Sequence, residues 1–163
     1  MNKKFDYFCA MINATDQIKP ALLARSQEIL RDQIQDIQQQ LTNLQQSSEI
    51  EEKSSAGDKY ETHQEMLNQN RDILQKRLSS TKVMLNQINA VPVKQINTVE
   101  EGALIEVPMG KIWVSVAMGK VNLDGIDYQL VSKESPLITA LWGLKEGEIS
   151  EFRGNKIKIS QIL

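Results

Sequence analysis

Ser54-Ser55-Ala56-Gly57-Asp58-Lys59-Tyr60-Glu61 stands between two long segments whose apolar residues recur with a helical period. Gly57 and the serine pair break a helix. Asp58 has the side chain to start the next one by accepting N–H groups of its first turn. The chain is therefore expected to reverse here. Asp58 and Glu61 are three residues apart, which in a helical turn puts both carboxylates on one face, about 5–6 Å apart at Cβ. Such a pair suits a shared hard cation, and it equally suits an N-cap with its capping-box acid at a solvated bend. The surrounding stretch 49–65 holds six acids, Glu49, Glu51, Glu52, Asp58, Glu61 and Glu65, against Lys53 and Lys59.

Upstream of the turn, Leu23, Leu30, Ile34, Ile37, Leu41 and Leu44 fall at separations of seven, four, three, four and three, the a/d rhythm of a coiled coil. Downstream, Leu67, Leu74, Leu78, Leu85 and Ile88 continue a comparable seam, with Asn70 and Thr81 as polar interruptions. Each arm has about 28 residues, hence ~42 Å of helix. Two arms of equal length bury each other's stripe by folding back as an antiparallel hairpin. With its seam consumed internally, the hairpin is expected to be monomeric. Pro20 is expected in the first turn of the first arm, where its missing N–H costs nothing. Ahead of it, Phe5, Tyr7, Phe8, Cys9, Met11 and Ile12 form a compact apolar patch suited to a short helix of its own.

Pro92 ends the second arm and the texture changes. Ala103–Val107, Ile112–Val116, Ile126–Val131 and Lys156–Ile159 are β-branched runs separated by Pro108-Met109-Gly110, Asp124-Gly125 and Gly154-Asn155, and are read as antiparallel strands. Ser135-Pro136-Leu137-Ile138-Thr139-Ala140-Leu141-Trp142-Gly143 reads as an N-cap, proline at the first helical position, a short apolar helix and a glycine stop. The expected fold class is α+β. Residues 1–91 form an N-terminal segment and coiled-coil hairpin, 92–98 a linker, and 99–163 a small α+β domain.

The chain has 163 residues and a formal charge of −2, with an isoelectric point near 5.5. That balance argues against general binding to nucleic acid or acidic membrane, so any nucleic-acid role is expected to be indirect. The single cysteine, Cys9, cannot close an internal disulfide, which fits a reducing compartment. Asp6 interrupts the apolar run that comes after the basic opening residues. No stretch approaches the ~20 apolar residues of a membrane span, and a cytoplasmic location is expected. One cysteine and one histidine make no metal-ligand cluster. A phosphate-binding glycine loop, a nucleophile elbow and a basic stripe with interleaved aromatics are also missing from the sequence. The chain carries no self-contained active site.

Ser135-Pro136-Leu137-Ile138-Thr139-Ala140-Leu141-Trp142-Gly143-Leu144-Lys145-Glu146-Gly147-Glu148 resembles the S-P-L-G-x-A-L-x-G-K-K-x-G-D stretch in the C-terminal domain of the Gre transcript-cleavage factors of bacterial RNA polymerase. At the turn, Gly57-Asp58-Lys59-Tyr60-Glu61 matches the family's G-D-x-x-E without a gap. The resemblance implies a helical hairpin followed by an FKBP-like domain. It implies a hairpin that enters the secondary channel of bacterial RNA polymerase, where Asp58 and Glu61 help hold a catalytic Mg²⁺ and a water while backtracked RNA is hydrolysed. Ser135, Pro136 and Leu137 are the positions it assigns to polymerase binding. The chain would then be no enzyme by itself, would bring no cofactor beyond Mg²⁺ shared with the polymerase, and would meet DNA and RNA only through that partner.

The sequence also departs from the family. Thr62 replaces an asparagine, the tyrosine four residues beyond the second acid is absent, and no Arg-Pro-Glu pattern appears in the first arm. The stretch between Val131 and Ser135 is shorter than its family counterpart. Three other readings stand beside the cleavage factor. They are a channel-occupying inhibitor of the polymerase, an FKBP-like isomerase or chaperone, and a coiled-coil adaptor. The isomerase reading is the poorer for aromatics, because residues 95–163 offer only Trp113, Tyr128, Trp142 and Phe152.

Overall fold

The computed structural model describes residues 3–52 and 58–163, and of residues 3–16, 51, 52 and 58 the backbone alone. Two long helices, α1 (Lys3–Glu52) and α2 (Asp58–Asn89), precede a sheet-rich region, and the fold class is α+β as expected. By contact the chain divides into two compact units, Met1–Gln27 with Asn86–Leu163, and Glu28–Leu85. The expected turn at Ser54, Ser55, Ala56 and Gly57 lies outside the described residues.

The unit Glu28–Leu85 is the helical hairpin. Gln64 Nε2 donates to Ser48 Oγ at 3.1 Å, and one groove is lined by Gln40, Asn43 and Leu44 of α1 together with Asn70 and Leu74 of α2. Positions thus fall along α2 as they rise along α1, so the helices are antiparallel. Leu30, Ile37 and Leu67 of the seam are buried, and Ile34, Leu41, Leu44, Leu74, Leu78 and Leu85 are half-buried. Each fully buried leucine or isoleucine contributes about 1.5–3 kcal/mol. Thr81, the polar interruption, is buried, and its hydroxyl donates to the Arg77 carbonyl at 2.8 Å. The seam absorbs it without an orphaned group.

Pro20 does not start a helix. It lies inside α1, which runs unbroken from Lys3. No glycine or other proline stands between Lys3 and Lys19. Proline's fixed φ is compatible with a helix, and the cost is the bond that a residue with an N–H would have made four positions back. The patch Phe5–Ile12 is therefore part of the same helix and not a separate one.

The second unit carries a five-stranded sheet ordered β3-β4-β2-β1-β7 and a two-stranded ribbon of β5 and β6. The strands are β1 (Leu104–Val107), β2 (Gly110–Ser115), β3 (Gly119–Leu123), β4 (Ile126–Ser132), β5 (Ile149–Phe152), β6 (Asn155–Lys158) and β7 (Gln161–Ile162). A short helix, α3 (Pro136–Leu141), separates β4 from β5. The expectation of an all-antiparallel arrangement fails at the centre, because β2 and β4 are parallel. The reason is β3. It turns back on β4 through Asp124 and Gly125, whose φ values of 52° and 80° are those of a tight hairpin turn, and this reverses β4 relative to an ordinary meander.

Register assigns the two faces of the sheet. Ile105 pairs with Ile112 and Ile162, and these side chains join Val107, Val114, Ile138 and Leu141 in one core beneath α3. On the opposite face Leu104, Trp113 and Leu130 are paired neighbours, all buried. Ile18 of α1 borders a cavity of about 20 Å³ with Leu104, Tyr128 and Leu163 on that face. Ile18 of α1 therefore stands on the side of the sheet that α3 leaves open.

Lys19 is buried here, and its Nζ donates to the Lys94 carbonyl at 2.8 Å. Burial pushes its pKa down to about 8, with the Glu100 carboxylate offsetting part of the shift. The unfolded chain keeps this proton to about 10.5. Between those values the unfolded state binds more protons, so stability rises with pH. Relative to Lys19→Met, the wild type should gain at most about 3 kcal/mol from pH 7.5 to 10.5 in urea unfolding. A pH-independent difference between the two proteins would show that the amine is not held as described.

Candidate functional site

Two places carry the sequence-assigned residues, one in each unit. In the hairpin, α1 ends at Glu52 and α2 begins at Asp58. Glu61 is exposed in the first turn of α2, with Lys59 exposed and Tyr60 half-buried beside it. The side chain of Asp58 lies outside the described residues. Behind this turn the helices are joined by the Gln64–Ser48 hydrogen bond. A groove of about 410 Å³ there is lined by Gln45, Ser48, Glu49, Gln64 and Arg71. The exposed carboxylate of Glu61 is therefore carried on a helix tied to a buried serine, Ser48, about one turn before α1 ends. Among the described residues, no group of three or more His, Cys, Asp and Glu stands close enough to hold a metal ion.

In the other unit, Ser135 occupies the N-cap of α3 and Pro136 its first position, as the sequence pattern predicts. The serine side chain makes no capping bond, however. Instead its carbonyl accepts from Thr139 N at 2.9 Å and Thr139 Oγ1 at 3.0 Å, while its N–H donates to Ser132 O. Pro136 is exposed, and Leu137 is half-buried against the core. Glu134 precedes them. A bond from its own backbone N–H, then one from the Ser132 side chain, hold its carboxyl below the usual range. At the far end Gly143 donates its N–H to Val99 O, and Trp142 keeps 48% of its surface exposed.

Trp142 is the residue that reading the sequence passes over. In the sequence it stands in the Ser135–Gly143 stretch and among the region's few aromatics, and in the fold it is the C-cap of α3, where ψ of 132° leaves the helix. Ile138 and Leu141 point into the core, and the next position is turned away from them. Ile149 of β5 is also exposed, at 57%, and Ser150 beside it donates its hydroxyl to Ala140 O at 2.8 Å. The α3–β5 surface thus presents large apolar side chains near the C-terminal end of α3, opposite Pro136 at its start.

Three solved structures resemble the chain. They are the transcription factor Gfh1, the GreA factor homolog 1 (Gfh1) protein of Thermus thermophilus, and Thermus aquaticus Gfh1. Each is 17% identical and covers 85% of this chain. The shares of the other chains covered are 93%, 95% and 94%, and the TM-scores are 0.37, 0.33 and 0.35. No family model and no curated protein matches the sequence. Among the described residues no helix is long and apolar enough to cross a membrane.

Proposed function

We propose that the chain is a transcription elongation factor that binds bacterial RNA polymerase, inserts the helical hairpin into the secondary channel and stimulates cleavage of backtracked transcripts. The observation that carries this reading is the acid pair Asp58 and Glu61 at the reversal of an antiparallel helical hairpin, in a Gly-Asp-x-x-Glu sequence. The chain supplies no complete metal site among its described residues. It acts by bringing two carboxylates to a centre that another protein builds.

In this mechanism the rigid hairpin delivers the turn, and Asp58 and Glu61 accept hydrogen bonds from waters bound at the partner's catalytic centre. The Mg²⁺ there would polarise the scissile phosphate and lower the pKa of the attacking water. The two acids orient that water and neutralise part of the local positive charge. The protein itself is not an enzyme in this reading. The deciding experiment is a cleavage assay on a stalled, backtracked polymerase complex with and without the factor. Faster release of the short 3′ fragment is the expected result, and an unchanged rate would refute the proposal.

Docking is assigned to Ser135, Pro136 and Leu137 at the start of α3. Pro136 is exposed and its ring makes no bond that the fold needs, so Pro136→Arg should leave the unfolding midpoint within about 0.5 kcal/mol of wild type. It should nevertheless weaken polymerase binding at least about tenfold, or ~1.4 kcal/mol. Equal affinity in a titration of labelled factor would move the docking surface elsewhere.

A further inference from the structure

The seam of the hairpin keeps one spacing almost to its end. In α1, Leu30, Ile34, Ile37, Leu41, Leu44 and Ser48 follow one another at four, three, four, three and four residues. In α2, Gln64, Leu67, Arg71, Leu74, Leu78, Thr81 and Leu85 do so at three, four, three, four, three and four. A heptad repeat of leucine and isoleucine meets apolar residues again when one helix slides by seven positions, so its apolar members fix the register poorly. Polar side chains at seam positions are what separate one register from the next.

Two of the buried hydroxyls lie in this seam, and they are used differently. Thr81 donates to Arg77 O in its own helix at 2.8 Å, a bond that survives any slide. Ser48 accepts from Gln64 Nε2 of the other helix at 3.1 Å, a bond that a slide breaks. Moved by one heptad in one direction, Gln64 stands against Leu41; moved in the other, Ser48 stands against Arg71. The pair is also a poor source of stability. Gln64 Oε1 is buried without a hydrogen-bond partner, so the amide is only half satisfied where a leucine would bury no polar atom.

We propose that Ser48 and Gln64 fix the register of the hairpin, at a cost in stability, and thereby keep Glu61 in the first turn of α2. A lone polar contact in an apolar helical seam is well suited to this use. Register decides where the chain reverses. Ser48 and Gln64 are equidistant from position 56, whereas Ser48 and Arg71 are equidistant from a point between 59 and 60. The second pairing therefore moves the reversal into the Asp58–Glu61 stretch and removes the helical spacing of the two acids. Ser48 and Gln64 act through the helices that they join, and are positioning residues.

The test is a pair of nitroxide labels on the full chain with Cys9→Ser, carried at Gln46→Cys and Ser80→Cys. Both positions are exposed and lie well apart along the hairpin, so a slide of one heptad, ~10 Å of helix, changes the label separation by more than about 5 Å. Pulsed electron resonance should show one distance in the otherwise unchanged chain and in Thr81→Val, and at least two in Ser48→Ala/Gln64→Leu. That double variant should keep its helical circular dichroism and unfold in urea at or above the midpoint of its parent. A single unchanged distance in the double variant would overturn the proposal, as would a clearly lower midpoint, which would make the pair ordinary packing. Two distances in the parent would overturn it as well. The consequence for cleavage rests on the function proposed above: stimulation by the double variant should fall with the fraction in the native register. If the wild type stimulates no cleavage, that function fails, and the label distances still decide the register.

Discussion

Asp58→Asn and Glu61→Gln should each leave polymerase binding and hairpin stability nearly unchanged, and each should cut stimulated transcript cleavage by about ten- to a thousandfold. Asparagine keeps a capping oxygen at the start of α2, and glutamine keeps the reach of an exposed side chain, so the substitutions remove charge and little else. Losing a contributor of a few kcal/mol to the transition state slows a reaction by that factor. The double variant should be no worse than the poorer single one, because either change dismantles the same shared site. The assay is single-turnover cleavage in backtracked complexes at saturating factor. If the double variant binds normally and cleaves at the wild-type rate, the acids are only the polar end of a hairpin, and a channel-occupying inhibitor or a coiled-coil adaptor becomes the better reading.

The largest expected effect on stability belongs to Gly102. Its φ is +92°, and a Cβ there would strike the Pro92 carbonyl oxygen and sit 3.2 Å from Ile96 Cδ1. Its N–H donates to Val114 O at 2.8 Å and its carbonyl accepts from Trp113 Nε1 at 3.2 Å. The residue therefore cannot step aside without releasing the buried indole. Gly102→Ala should cost about 3 kcal/mol or more, combining left-handed strain with a backbone collision. Gly125→Ala is the matched control. Its φ is +80° but nothing lies within 4 Å of the new methyl, so it should cost only about 1 kcal/mol. Urea midpoints read both, and equal losses would show that the Pro92 approach is not a constraint.

Elements whose information is local are legible in the residues themselves. The a/d spacing of Leu30, Ile37 and Leu41, mirrored by Leu67 and Leu74, requires two helices that bury a single stripe, and they do so antiparallel. Ser135-Pro136 and Gly143 bracket α3 because a proline's fixed φ and a glycine at φ +78° act within one turn of themselves. Glu61 falls in the first turn of α2 for the same reason, while the side chain of Asp58 lies outside the described residues. Their proposed use depends on a partner, and the turn that precedes them lies outside the described residues.

Tertiary structure decided the features that depend on distant partners. Strand β3 presents one buried side chain, Val121, and β7 has two residues. An edge strand needs little apolar alternation of its own, since the neighbouring strand supplies the ladder. Once β3 forms, the parallel pairing of β2 with β4 results, and no local pattern announces it. Closure of the second sheet face beside Ile18 likewise rests on residues some 85 to 110 positions away in sequence, Leu104 and Tyr128. A period can report which side of a helix or strand is apolar. Only packing decides what covers it, because burial energy depends on the area removed from water and not on which segment removes it.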